Sequence, residues 1–140
     1  MKMHTTSLTV RFNEVDSYNV AWHGHYIAWM EVGRNDLAMQ FGLDAQQLTE
    51  EGYLGPVVGL EVKYLHPACF KDQITVCTNL RPCDAAVLVF YNEIRSSDGR
   101  TLATGRTTHA LTDLQGVLQL RTPPVIAERI LRMTEWLDRL

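Results

Sequence analysis

From His23 to Phe41 the residues Tyr26, Met30, Gly33, Leu37 and Phe41 follow one another at spacings of four, three, four and four, a stripe down one side of a helix. Gly42 stands where a helix-terminating glycine belongs, so the stripe predicts a helix over 23–41. After Pro56 the period changes to two. GLEVKYL sets Leu60, Val62 and Tyr64 against Glu61 and Lys63, and QITVCTNL sets Ile74, Val76 and Leu80 against Thr75, Cys77 and Asn79. AAVLVFYNEI is apolar on both faces, as in a central strand packed on two sides. One long striped helix with a run of antiparallel strands can bury its stripe only against the sheet, which predicts a two-layer α+β domain.

The remaining segments fit that frame. Ser7 to Asn13 alternates and predicts a first strand, and Ala45 to Glu51 predicts a short helix. SSDGR carries the Asp-Gly pair of a hairpin turn, with TLATGRTTHAL returning as the partner strand. DLQG makes a second turn into VLQLR, read as a further strand. Thr122 followed by two prolines predicts a capped start for a last helix, Ile126 to Leu140. Segments such as VLVFY need cover on both faces, which predicts a homodimer or higher oligomer.

At 140 residues, with no repeat or linker, the chain reads as one domain over 1–140. A net charge of −3 argues against a nucleic-acid surface. Cys69, Cys77 and Cys83 form no paired motif and are odd in number, so they read as free thiols in a reducing compartment. The sequence shows no apolar run of membrane-spanning length and no secretory signal pattern, which makes the cytoplasm the expected location.

TVRFNEVDSYNVAWHGHYIAWMEVGR resembles the N-terminal signature of hotdog-fold acyl-CoA thioesterases of the 4-hydroxybenzoyl-CoA thioesterase type. The family pattern is a strand, Glu or Thr before x-Asp, seven residues to a His or Tyr, then x-Asn-Tyr and a helix carrying Glu-x-x-Arg. It maps onto Glu14, Val15 and Asp16, then His23, Gly24, His25 and Tyr26, then Glu31 to Arg34. VKYLHPACFKDQITV resembles the family's second segment through Tyr64, Pro67, Ala68 and Asp72. His25 departs from the pattern, since many members carry Asn there. The resemblance implies a hotdog fold, an antiparallel sheet wrapped around one long central helix with a C-terminal helix. It also implies hydrolysis of an acyl thioester, carried by coenzyme A or by acyl carrier protein, without a cofactor, in a homodimer or homotetramer.

By that resemblance Asp16 is the catalytic carboxylate, either a nucleophile on the thioester carbonyl or a general base on water. The free amides at a helix N-terminus can hold the developing oxyanion, a role assigned to the backbone around His23 and Gly24. The His23 imidazole is a second catalytic candidate, for orienting water. Gly24, without a Cβ, would admit the acyl group closely. His25, Tyr26, Val58 and Gly59 are candidate substrate contacts, with Val58 and Gly59 lying against the central helix. Tyr26 and Trp29 also read as core or pocket wall. Among Arg81, Arg95, Arg100 and Arg106, one or two could hold the phosphates of coenzyme A. Glu31 and Arg34 read as an ion pair on one helix face. No metal is expected, because His23 and His25 diverge by about 200° on a helix and no cysteine pair or HExxH lies nearby. Two other readings remain: a hotdog hydratase or dehydratase on the same carriers, and a module that binds acyl-CoA without chemistry. Serine-hydrolase chemistry is disfavoured, since the chain has no G-x-S-x-G.

Overall fold

The computed structural model describes residues 2–140. The striped segment forms one helix, α1 (His23–Met39), which buries Tyr26, Trp29, Met30, Gly33, Leu37 and Ala38. Gly42 takes φ +74°, and the chain reverses so that the Leu43 amide donates to the Ala38 carbonyl at 3.0 Å, closing the helix end. A short helix, α2 (Ala45–Glu50), follows, with the Asp44 carboxylate accepting from the Gln47 amide.

Around α1 curves one antiparallel sheet built from β1 (His4–Thr9), β3 (Val57–Tyr64), β4 (Gln73–Arg81), β5 (Val87–Ser96) and β6 (Thr101–Ala110). The spatial order is β1-β4-β5-β6-β3, so β5 is central, as its two-sided apolar sequence requires, and β3 is an edge. A second, two-stranded sheet pairs β2 (Tyr53–Leu54) with β7 (Thr112–Asp113). The last helix, α3 (Pro124–Asp138), lies by β4 and buries Ile126, Met133 and Leu137 in a core cluster that also holds Leu37 and Ala38 of α1. This is the hotdog arrangement, an α+β layer of sheet wrapped on one central helix.

Helix and sheet approach closely because two residues lack side chains. A Cβ on Gly33 would stand 2.5 Å from Val76 Cγ1 and 2.8 Å from Thr78 Oγ1, and one on Gly105 would meet Met30 Sδ at 2.4 Å. Gly33 in the stripe is therefore a contact position, where the absence of a Cβ sets the depth at which α1 sits. Gly33→Val is expected to destabilise the fold by about 2–3 kcal/mol through overpacking, read as a lower urea midpoint at unchanged slope.

Several elements differ from the sequence expectation. β1 begins and ends earlier than the alternation indicated, and Phe12–Glu14 is a 3₁₀ turn, because the Glu14 carboxylate accepts from the Arg11 amide and folds the chain inward. VLQLR forms no strand. It makes a single bridge between Thr112 and Leu118, and Leu120 is 90% exposed, since β7 is only two residues long and offers no further ladder to extend. The cap of α3 is Pro123, and Thr122 supplies no capping hydrogen bond. Leu60 and Tyr64 of β3, expected on a buried face, are both 44% exposed because nothing pairs with or covers that edge in a single chain.

Candidate active site

Residues Glu14 to Trp22 are held against the start of α1 by a set of long-range bonds. Glu14 is buried; its Oε2 accepts from Trp29 Nε1 at 2.7 Å and its Oε1 from the Arg11 amide at 2.8 Å. The Trp22 amide donates to the Glu14 carbonyl at 3.0 Å, and Val15 bridges Ala21. Residues 16–20 are thus forced into a tight reversal. Asn19 takes φ +61°, a conformation asparagine tolerates better than most side chains. The Asp16 amide donates to the Val20 carbonyl at 3.0 Å, and Asp16 Oδ1 accepts from the Tyr18 amide at 2.8 Å. Asp16 accordingly stands at the rim of this turn with its side chain exposed on the single chain, and it is not among the residues that line the cleft at the start of α1.

The helix opens on a shallow cleft of about 310 Å³ walled by Ala21, His23, Tyr26, Tyr64, His66 and Pro67. Trp22 is the N-cap and contributes no side-chain bond; its carbonyl takes the His25 amide at 3.0 Å. The amides of His23 and Gly24 have no acceptor among the described residues, as the first turn of a helix without a side-chain cap leaves them. His23 is exposed, and its carbonyl accepts from the Tyr64 hydroxyl at 2.7 Å. Burial raises the Tyr64 and Tyr26 phenols above their ordinary value, so both stay protonated. Tyr26 is buried, and its oxygen accepts from the Ala68 amide at 2.8 Å, fixing the 65–70 loop that forms the far wall. Tyr64→Phe is expected to cost about 1 kcal/mol of stability and to loosen the first turn, read as faster amide exchange at His25 and Tyr26.

At Gly24 the neighbour is protein. A Cβ there would fall 2.1 Å from the Trp22 indole, so the missing side chain makes room for that ring, which is half exposed over the helix start. The half-buried His25 ring packs edge-on against the same indole, with centroids 5.4 Å apart. Val58 and Gly59 lie on β3 away from this cleft. Val58 is 63% exposed and does not pack on α1 as expected, because the strand shifts register between Val57 and Gly59. The space beside Gly59 faces Thr108 of β6.

Of the arginines, Arg106 pairs with Glu61 at 2.6 Å, Arg95 Nε donates to Glu93 at 2.9 Å, and Arg81 lies over the Tyr91 ring. Arg100 occupies the exposed β5–β6 turn. None lines the cleft at α1. Glu31 and Arg34 stand 3.8 Å apart, with Arg34 mostly buried. Among the described residues no three His, Cys, Asp or Glu side chains converge, and no helix is long and apolar enough to cross a membrane. Residue-by-residue reading passed over Glu14 as a buried clamp, Trp22 as the ring over the helix opening, and Tyr64 and His66 as cleft walls. Tyr64 carries a signal in the sequence as part of the second motif and of the GLEVKYL alternation.

Comparison with known proteins agrees with the fold. The model of the thioesterase-like superfamily matches residues 10–130. YneP of Bacillus subtilis, named as an acyl-CoA thioesterase, is 26% identical over 113 residues, covering 81% of this chain and 82% of that protein. The structure of a DHNA-CoA thioesterase from Staphylococcus aureus superposes with a TM-score of 0.84 at 23% identity, covering 99% of this chain and 95% of that one. SAV2348 from Staphylococcus aureus, solved in complex with CoA, superposes at 0.85 with 17% identity, covering 96% and 86%. With the sheet, the central helix and the family model in agreement over most of its length, the chain belongs to the thioesterase-like superfamily of hotdog-fold thioester hydrolases.

Proposed function

We propose that the chain hydrolyses acyl-CoA thioesters, with Asp16 as nucleophile or general base and the His23 and Gly24 amides holding the carbonyl oxygen as it gains charge. The observation that carries this reading is the pair of unpartnered amides at the opening of α1, tied by the Glu14–Trp22 loop to an ionisable carboxylate at its rim. Amides fixed by a helix cost no reorganisation when the oxyanion forms, and one such donor contributes about 3 kcal/mol to transition-state stabilisation. The exposure of Asp16 on a lone chain fits a site completed by a second copy.

The edge of β3 supports such a copy. Val57, Val58 and Leu60 are 51%, 63% and 44% exposed along an unpaired strand edge, which a soluble protein rarely leaves open. Antiparallel pairing of two β3 edges about their middle would set Val58 and Gly59 of one copy beside Tyr64 and the cleft of the other. That restores both residues to the substrate path as donated walls in a homodimer. Acyl groups carried by carrier protein would present the same thioester to the same amides. The cytoplasm, where coenzyme A thioesters and free thiols coexist, suits this chemistry.

The test is thiol release over a panel of short, aromatic and long acyl-CoAs, with light scattering for mass. Turnover of at least one thioester by a dimer or larger assembly is expected. Binding of acyl-CoA with no release from any member would replace hydrolysis by a binding role, and conversion of an enoyl-CoA to its 3-hydroxy product would make the chain a hydratase.

A further inference from the structure

A second cavity, about 320 Å³, lies between α1, α2 and the β5–β6 pair. Its α1 wall, Glu31 to Ala38, begins eight residues beyond His23, roughly 12 Å along the helix from the cleft. Leu43, Leu48, Leu88 and Phe90 make it apolar, and His109 of β6 brings a buried polar group to it, 7% exposed.

The chemistry of His109 is fixed by its neighbours. Nδ1 stands 2.9 Å from the Gly55 carbonyl oxygen, which can only accept, so Nδ1 carries the proton. Burial, with the Arg34 charge adding to it, pushes the imidazole below its ordinary value and keeps it neutral. Nε2 therefore bears a lone pair, and it has no hydrogen-bond partner. Phe90 packs edge-on to the ring at 5.6 Å and offers no N–H or O–H. Two residues earlier on the same face of β6, buried Thr107 Oγ1 also lacks a partner. A buried acceptor without a donor is costly, and native structures seldom carry one without a ligand or water to satisfy it.

We propose that this cavity binds a compact apolar group bearing a neutral hydroxyl, whose O–H donates to His109 Nε2. Charge selects the neutral donor. The Arg34 guanidinium disfavours a ligand cation, whereas Glu31 and Asp44 at the wall disfavour a carboxylate or phosphate. Nε2 is closed off from solvent in the single chain, so a ligand hydroxyl reaches it only as the side chains packed on the ring move aside. The hydroxyl can belong to a free alcohol or to the acyl group of a substrate bound across the β3 edge. The second source rests on the thioesterase reading, and the first does not.

Cyclohexanol and cyclohexanone test the proposal, since they share a ring but only the alcohol donates. Titration of the wild-type protein, followed by the His109 imidazole nitrogen resonances, is expected to show cyclohexanol binding about tenfold tighter and moving the Nε2 signal. His109→Phe is expected to abolish the preference and His109→Gln, which keeps an acceptor, to retain it. If His109→Phe fails to fold, the wild-type resonance and His109→Gln decide. Equal binding, or a static Nε2 signal, overturns the proposal and leaves a buried water as the donor. In a parallel thiol-release assay, competition by cyclohexanol against acyl-CoA identifies the acyl group as the source, and binding without competition identifies a free alcohol. The titration needs no turnover, so it stands apart from the fate of the thioesterase reading.

Discussion

Asp16→Asn is expected to lower kcat for acyl-CoA hydrolysis by about a hundred- to ten-thousand-fold, the range spanned by loss of a positioned acid–base group. Little change in thermal stability should accompany it. Asp16 is exposed, and the one hydrogen bond to its side chain comes from the Tyr18 amide to Oδ1, an acceptor that asparagine retains. The loop should therefore keep its reversal while losing the charge that attacks the carbonyl or takes a proton from water. Thiol-release kinetics beside a thermal melt separate the two effects. Undiminished turnover in a folded variant would remove Asp16 from the mechanism, and a large drop in melting temperature would recast it as a structural residue.

The largest expected effect on stability belongs to Glu14. Glu14→Leu leaves Trp29 Nε1 and the Arg11 amide without their acceptor in a buried setting, and a loss of about 3 kcal/mol is expected in urea unfolding. The same group predicts a pH dependence. Desolvation raises the Glu14 carboxyl, but hydrogen bonds from the Arg11 backbone and side chain and from Trp29 outweigh it, so its value in the fold lies below the ordinary 4.5. A group depressed on folding adds stability above its unfolded value, and that stability is lost as pH falls through the folded one. Asp36, lowered by His4 and Thr6, acts in the same direction. Wild-type stability is thus expected to fall below about pH 4.5, and to fall less steeply in Glu14→Gln, in which only Asp36 and other carboxylates still titrate. Urea midpoints at neutral and acid pH provide the comparison. An unchanged slope in the variant would show that Glu14 is not held ionised by its partners.

Fold and site were legible to different degrees, because they rest on different ranges of interaction. The α1 stripe, the closing Gly42 and the Asp-Gly hairpin each follow from residues adjacent in sequence, and each is found where it was read. VLQLR has the composition of a strand, yet β7 is only two residues long, so beyond the Asp113–Val117 and Leu111–Gln119 backbone bonds the segment has no ladder to extend. Leu60 alternates correctly but is exposed, because β3 is an edge, and edge position is a property of the assembled sheet.

At the site, Asp16 and the helix opening were adjacent in sequence and so could be read together. The Glu14–Trp29 bond spans 15 residues, the Tyr64–His23 bond 41, and the Gly55–His109 bond 54, and no local pattern announces any of them. Nor could the sequence show that the space above Gly24 is filled by the indole of Trp22, since that depends on a side-chain orientation fixed after the loop has folded back.

The sequence alone determined the period of each segment, and so the central helix, its buried stripe and the antiparallel strands, because backbone geometry converts spacing directly into direction. The tertiary structure alone decided which polar groups lost their water and which found partners. Burial is set by what arrives from elsewhere in the chain, and an acid or imidazole changes its chemistry only once that neighbour is in place.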